Sequence, residues 1–283
     1  MPKVSIVIPT HNRPLLLARA IRSVLSQTFS DYEVIVVDDG DKPRVRDIVD
    51  ALNDDRFRYI AHHPANQGGS ATRNTGIKES HGEYVAFLDD DDEWLSEKLA
   101  LQVEAIKGVD QEVGFVATGV ENVTEHGSTY NQTKNGTHDF SVIVLLRFKG
   151  FITSSLLIRR SVFDSVGFFD ESLPSHQEVD LLIRITQVYK GVGIDLPLVR
   201  MDMTPHEHIG GDLLRRIRGR ELLLAKHAGV YAKHKKAFAK QYFWLAIWCR
   251  DSGDRVKART YFWKAFMLTW NPRYLAHACL AVF

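Results

Sequence analysis

Two cysteines, Cys249 and Cys279, stand in 283 residues. That scarcity excludes a disulfide framework or a Cys-rich metal site and points to a reducing compartment. No window reaches the ~18 uninterrupted apolar residues that a bilayer-spanning helix needs. The chain enters VSIVIP without a charged lead or a small-residue cleavage site, so no secretory signal is expected. Without secretion, the Asn-x-Thr sequons at Asn122, Asn131 and Asn135 read as solvated loop. Acidic residues are scarce in the last quarter. Residues 211–283 carry 15 basic and 4 acidic side chains, a net of +11, whereas residues 1–210 carry 21 and 31, a net of −10. The whole-chain charge of +1 hides this division. It suggests that the tail meets something anionic: a phosphate-bearing ligand, a membrane surface or nucleic acid. The rest is ordinary globular composition, 45% apolar and 25% charged, and long enough for one large or two small domains.

The first hundred residues alternate strand and helix. Val4-Ser5-Ile6-Val7-Ile8 is a β-branched run that reads as a strand buried on both faces. Pro14 opens a helix with Leu17, Ala20, Ile21, Val24 and Leu25 on one face. Further strands are predicted at 33–37, 57–60 and 84–88, with helices over 43–52 and 70–80 between them. Such alternation predicts a parallel sheet with right-handed crossovers, whose ligands bind at the carboxyl ends of the strands. The polar signals sit at those ends: Thr10, Asn12 and Arg13 after the first strand, Asp38 and Asp39 after the second, Asp89 to Asp92 after the fourth. Strands at 113–117 and 154–158 follow, then helices over 211–228, 232–250 and 255–269.

A run of four aspartates is electrostatically costly unless a cation holds it together, and Lys98 is the basic residue nearby in sequence. Side chains two apart after a strand point the same way, so Asp89 and Asp91 can reach one Mg²⁺ or Mn²⁺. The plainer reading is a solvated acidic turn; the neighbouring polar strand ends favour the metal.

VSIVIPTHNRPLLLARAIRSVLSQTFSDYEVIVVDDG, NQGGSATRNTGI, GEYVAFLDDDDEW and HQEVDLLIRI, in that order, resemble the family 2 glycosyltransferases of the inverting, GT-A type. The resemblance covers roughly residues 3–210 and implies an α/β Rossmann-like, mostly parallel sheet flanked by helices. Residues 1–210 would be the nucleotide-sugar-binding catalytic domain and 211–283 a basic, aromatic-rich helical extension. It further implies that Pro9, Thr10, Asn12 and Arg13 lie along the nucleotide. Asp39 would accept a hydrogen bond from the base, with uridine favoured, and Arg73 would reach the nucleotide or its phosphates. Asp89 and Asp91 match the ends of the DxD signature, with Asp91 on the metal and Asp89 nearer the ribose. Asp90 is the variable middle residue of this nucleotide site. Where the family shows Glu-Asp before a hydrophobic helix, this chain has Gln177-Glu178, so Glu178 would be the base and Asp180 its support. Helix N-terminal capping is the alternative for that pair. His206, in Pro205-His206-Glu207-His208, would join the metal and diphosphate.

The resemblance implies a metal-dependent inverting glycosyltransferase. A nucleotide-diphosphate sugar would be the donor and a glycan or lipid-linked molecule the acceptor, in surface polysaccharide or glycoconjugate synthesis. A sugar-phosphate nucleotidyltransferase would show a Gly-rich basic loop after the first strand, which IPTHNRP lacks. A non-catalytic nucleotide- or sugar-binding module docked through its tail would not need a carboxylate at Glu178. In the tail, YFWLAIW and YFWKAFMLTW are rich in interface-favouring residues among basic ones, which suggests peripheral contact with anionic membrane; a self-packed bundle is the alternative. No nucleic-acid-binding motif occurs, so none is expected as a partner. The expected location is the cytoplasm, with the tail at the inner face of the cell membrane.

Overall fold

The computed structural model describes residues 1–41, 44–147, 151–203 and 212–280. It divides into two compact units. The first comprises Met1–Phe140, Lys149–Glu171 and Arg184–Thr204; the second comprises Ser141–Phe148, Ser172–Ile183 and Pro205–Phe283.

The first unit is built on a mixed sheet. Its strands are β1 (Val4–Thr10), β2 (Tyr32–Asp38), β3 (Phe57–Ala61), β4 (Tyr84–Phe87), β5 (Asp92–Trp94), β6 (Val113–Thr124), β7 (Gly127–Asn131), β8 (Gly136–His138), β9 (Leu156–Arg159) and β10 (Lys190–Asp202). The order is β3-β2-β1-β4-β9-β6-β10-β5, with β7 beside β6 and β8 beside β10. The predicted parallel arrangement holds for β3, β2, β1 and β4, and again between β6 and β10. Between these blocks β9 runs antiparallel to both β4 and β6.

Helices α1 (Pro14–Leu25), α2 (Arg44–Asp50), α3 (Gly69–Lys78), α4 (Lys98–Ile106), α5 (Ser141–Leu146), α6 (Arg160–Val166) and α7 (Gln177–Thr186) punctuate the strands. Val4, Ile6 and Ile8 of β1 join Leu17, Ile21 and Val24 of α1 in one buried cluster, as the period-two and helical patterns require. Leu25, expected on that face, is exposed at the end of the helix. Val7 points to the other side of the sheet, under α3. A Cβ on Gly76 would stand 2.3 Å from Val7 Cγ1, so only glycine lets α3 approach this closely. Phe87, paired with Val7 in register, meets Phe163 and Phe169 edge-on at 6.4 and 5.4 Å between centroids on the same side.

The long strand β10 escapes the sequence pattern because Gly191, Gly193 and Pro197 break its alternation. Its pairing with β6 shifts register three times. A Cβ on Gly191 would meet the Phe115 ring at 2.4 Å, so the missing side chain marks close packing. β10 in turn holds β5 antiparallel, pairing Met201 with Asp92 and Val199 with Trp94. The acidic run therefore ends on a sheet strand.

The second unit is helical: α5, the start of α7, then α8 (Leu213–Lys226), α9 (Ala228–Lys233), α10 (Lys235–Asp251), α11 (Arg255–Thr269) and α12 (Pro272–Leu280). Asp212 and Asp254 cap α8 and α11 by accepting from backbone N–H groups. Ala258, Phe262 and Ala265 of α11 are fully buried, as are Leu245, Ala246 and Cys249 of α10, the two helices forming a hairpin across Ser252-Gly253. Among the described residues, no helix is long and apolar enough to cross a membrane.

Candidate functional site

The ends of β1, β2 and β4 carry one connected polar cluster. Thr10 Oγ1 donates to Asp90 Oδ2 at 2.8 Å. Arg13 Nη1 reaches Asp90 Oδ1 at 3.2 Å and Asp91 Oδ2 at 3.3 Å. From α3, Arg73 Nη2 donates to Asp89 Oδ1 at 2.5 Å. Arg19 of α1 donates to the Asp91 carbonyl at 2.7 Å and pairs with Asp202 at 2.9 Å. Lys98, the basic residue nearby in sequence, turns into the core rather than to the aspartates. Lys98 is fully buried, donates to Gln102 Oε1 at 2.7 Å and sits 3.8 Å from the centre of the Trp94 ring. Burial pushes its ammonium well below the usual lysine range. The cations at the aspartates are Arg13 and Arg73, brought from elements distant in sequence.

The four aspartates alternate. Asp89 and Asp91 keep 29% and 18% of their side-chain surface open. Asp90 and Asp92 turn inward and are buried. Burial pushes the Asp90 carboxyl up to about 6, against the pull of Arg13 and the Thr10 hydroxyl. Burial, with Asp89 and Asp91 close by, pushes Asp92 well above the usual carboxylate range. Ser154 locks this geometry: its hydroxyl donates to Asp92 Oδ2 at 2.5 Å and accepts from the Asp89 N–H at 3.1 Å.

Asp39 anchors the Gly-rich turn before α3. Oδ1 accepts from the Gln67 N–H at 2.9 Å and Oδ2 from the Gly68 N–H at 2.7 Å. His62 Nδ1 lies 3.0 Å from the same Oδ1, and His62 Nε2 lies 2.9 Å from Thr75 Oγ1. A carboxylate only accepts, so Nδ1 carries a hydrogen and Nε2 faces the Thr75 hydroxyl. These contacts fill Oδ1 and leave acceptor capacity on Oδ2. Asp38 is the structural partner of the pair, accepting from the Gly40 N–H and the Tyr59 hydroxyl, both at 2.9 Å. Asn12, in the left-handed region at φ 56°, donates to Asp41 Oδ1 at 2.9 Å. Pro9 pairs with Val37 inside β1, half-buried.

In the helical unit, Glu178 and Asp180 stand in the first turn of α7. Asp180 is fully buried; its Oδ1 lies 2.7 Å from Lys226 Nζ and 2.8 Å from His227 Nε2. Glu178 is half-buried, and its charge is felt by the buried Arg220. Burial pulls the Arg220 guanidinium down to about 9. His206 and His208 lie outside the described residues.

The sequence reading missed His62, Thr75, Ser154, Lys226 and His227. A signal existed for His62, which lies two residues after a predicted strand and before the Gly-rich turn. Ser154, by contrast, is a serine in an ordinary apolar run.

Among the described residues, no group of three or more His, Cys, Asp or Glu is arranged to hold a metal ion. The two open carboxylates still suit Mg²⁺ or Mn²⁺, because such ions take one or two carboxylates and complete their shell from substrate phosphates and water.

The sequence matches the model of glycosyl transferase family 2 over residues 5–167, and the chain belongs to that family. It is 33% identical over 175 residues to the Campylobacter jejuni GalNAc(5)-diNAcBac-PP-undecaprenol beta-1,3-glucosyltransferase, covering 60% of this chain and 56% of that protein. The chain spans between 24% and 61% of the length of the curated relatives it matches. S. aureus TarS 1–349 in complex with UDP-GlcNAc shares the fold at a TM-score of 0.74 and 16% identity, over 97% of this chain and 83% of that one. The mannosyltransferase PcManGT from Pyrobaculum calidifontis, in complex with GDP-Man and Mn²⁺, shares it at 0.64 and 18%, over 100% and 81%. The fold is thus GT-A, with helices appended at its C-terminal end.

Proposed function

We propose that this chain is a metal-dependent, inverting glycosyltransferase that moves a sugar from a nucleotide-diphosphate sugar to a glycan or lipid-linked acceptor in surface-glycan synthesis. The observation that carries the reading is the convergence of three strand ends on one hydrogen-bonded cluster, with the arginine-paired Asp89 and Asp91 at its partly exposed edge. Pro9, Thr10, Asn12 and Arg13 bound the nucleotide side. The remaining acceptor capacity of Asp39 Oδ2 suits a base N–H, which favours uracil. Arg73 offers a guanidinium to the diphosphate. Asp91, with Asp89, would hold Mn²⁺ or Mg²⁺, and His206 is a further candidate ligand. When bound, the ion acts as a Lewis acid on the leaving diphosphate. Asp90, hydrogen-bonded by Thr10 and paired with Arg13, holds the Thr10–Arg13 loop to the strand end.

Glu178 takes the proton from the attacking acceptor hydroxyl, since a hydroxyl is a poor nucleophile until it is deprotonated during attack. Its half-exposed carboxylate supports that role over the buried Asp180, which Lys226 and His227 occupy. In-line attack on the far face of the anomeric carbon inverts its configuration. The lipid-linked acceptor is supported by the name of the C. jejuni relative. The same reading puts the enzyme in the cytoplasm, at the inner face of the membrane.

Thermal unfolding with UDP, GDP, dTDP and CMP, each with and without Mn²⁺, tests it. A ligand at 100 times its Kd adds ~2.7 kcal/mol, a shift of several degrees. A Mn²⁺-dependent shift with UDP is expected. No shift with any nucleotide in folded protein overturns the reading.

A further inference from the structure

Helix α11 is apolar on two opposite sides. Ala258, Phe262 and Ala265 fill the inner side and are fully buried. Val256, Trp263 and Met267 recur at i, i+7 and i+11, so they form one outward stripe, and Trp270 follows at the helix end. They are 71%, 46%, 55% and 67% exposed. Beside the stripe an open groove of about 900 Å³ runs along the hairpin, lined by Phe238, Tyr242, Trp263, Met267, Lys264 and Arg259 among others. None of the candidate site residues lines it. Lys264 stands 5.4 Å from the Tyr242 ring centre and 5.3 Å from that of Tyr261, holding its ammonium at the groove. Arg259 is exposed at the opposite flank of the stripe.

A surface-facing row with two tryptophans and a methionine needs a partner, since soluble chains seldom expose such contiguous patches. The flanking charge selects which partner. The last 73 residues carry 15 basic against 4 acidic side chains, so a second copy of the same face meets repulsion and an anionic surface meets attraction. An apolar stripe rich in Trp, between basic residues, has the chemistry of a helix lying in the interface of a bilayer. We infer that α11 docks on anionic phospholipid bilayer, with Trp263, Met267 and Trp270 entering the headgroup–acyl boundary and Arg259 and Lys264 on the phosphates. This deepens the lipid-linked acceptor reading by giving the acceptor's bilayer a seat on the enzyme. Of the other aromatic segment, Tyr242 and Phe243 stack within the bundle, while Trp244 of α10 is 46% exposed.

Vesicles without any glycan acceptor test docking alone, so its failure is separate from failure of glycosyl transfer. The full chain is sedimented with phosphatidylglycerol-containing or pure phosphatidylcholine vesicles at low and high salt. Tryptophan quenching by bromine-labelled acyl chains reads insertion. Salt-sensitive binding to the anionic vesicles alone is expected, with quenching that Trp263→Phe reduces. Each basic residue near an anionic surface is worth about fivefold in partition, so Arg259→Glu with Lys264→Glu should lower binding by at least about tenfold. Both sites are exposed, and an unchanged thermal transition confirms that the variant is folded. Absent binding, or binding that survives both the charge reversal and Trp263→Ser with Met267→Ser, overturns the inference. A lipid-free dimer that Trp263→Ser dissociates also overturns it, by assigning the face to a second copy.

Discussion

The molecule carries two acidic clusters that handle burial differently. After β4, a tight turn through Asp90-Asp91, closed by the Asp92 N–H on the Asp89 carbonyl at 3.0 Å, leaves Asp89 and Asp91 partly exposed while Asp90 and Asp92 are buried. The buried pair is met largely by hydroxyls, from Thr10 and Ser154, and its carboxyls are pushed upward. At the start of α7, Glu178 is half-buried and Asp180 fully buried, but Asp180 meets Lys226 and His227. One cluster stores acidity behind a pair of open carboxylates. The other buries one carboxylate against an exposed lysine and a buried histidine, behind a single half-buried glutamate. If the more exposed members carry the proposed chemistry and the buried ones hold the frame, substitutions should separate rate from stability.

The largest effects fall on the open members. Asp91→Asn removes a carboxylate from the leaving-group end, which is expected to cost several kcal/mol of transition-state stabilisation, roughly 10³-fold in turnover. The unliganded unfolding temperature should stay near that of the parent chain. Glu178→Gln is expected to lower turnover by roughly 10²- to 10⁴-fold while keeping nucleotide affinity. Initial rates with nucleotide titrations read both. Full turnover in either variant would erase the distinction between open and buried members.

Asp180→Asn goes the other way. Losing the buried Asp180 charge, which the exposed Lys226 and the buried His227 both meet, is expected to cost about 1–3 kcal/mol and a few degrees of Tm. A variant as stable as the parent but inactive would exchange the roles of Asp180 and Glu178.

How much of this was legible in sequence depends on period and distance. β1 to β4 and α1 were readable because Val4, Ile6, Ile8 and Leu17, Ile21, Val24 keep a clean period on each side of one core. The three polar strand ends were readable for the same reason, since a parallel sheet gathers them at one edge. β10 was not, because glycines and a proline placed for close packing look like loop. The partners of the acidic run were also hidden. Arg13 and Arg73 lie 78 and 16 residues from Asp91 and Asp89. Nothing local in DDDD announces them, and Lys98, the near neighbour, is spent on Gln102 and Trp94 inside the core.

Smaller effects probe the buried aspartates. Asp90 has a folded carboxyl at about 6 against an unfolded value of 3.8. The folded state therefore holds its proton more tightly, and the stability that this gives is present below about pH 4 and lost as pH rises through 6. A rise of this size corresponds to a penalty on the order of 2–3 kcal/mol at neutral pH. Asp90→Asn should flatten this dependence. Its Tm relative to the parent should rise between pH 4 and 7, and a constant offset would show that Arg13 cancels the burial.

Thr10→Val is the finest of these tests. The Thr10 hydroxyl donates to Asp90 Oδ2 at 2.8 Å in a buried setting, so the near-isosteric valine keeps the shape and removes one donor. A buried bond to a carboxyl is worth about 1–2 kcal/mol, and the loss should be felt most where Asp90 is ionised. The Tm deficit of Thr10→Val should therefore grow from pH 4 to pH 7. In the Asp90→Asn background it should become nearly pH-independent. If the pH dependence survives in the double variant, Asp90 is not its source, and Asp92, which takes its hydroxyl from Ser154, becomes the carboxyl to replace.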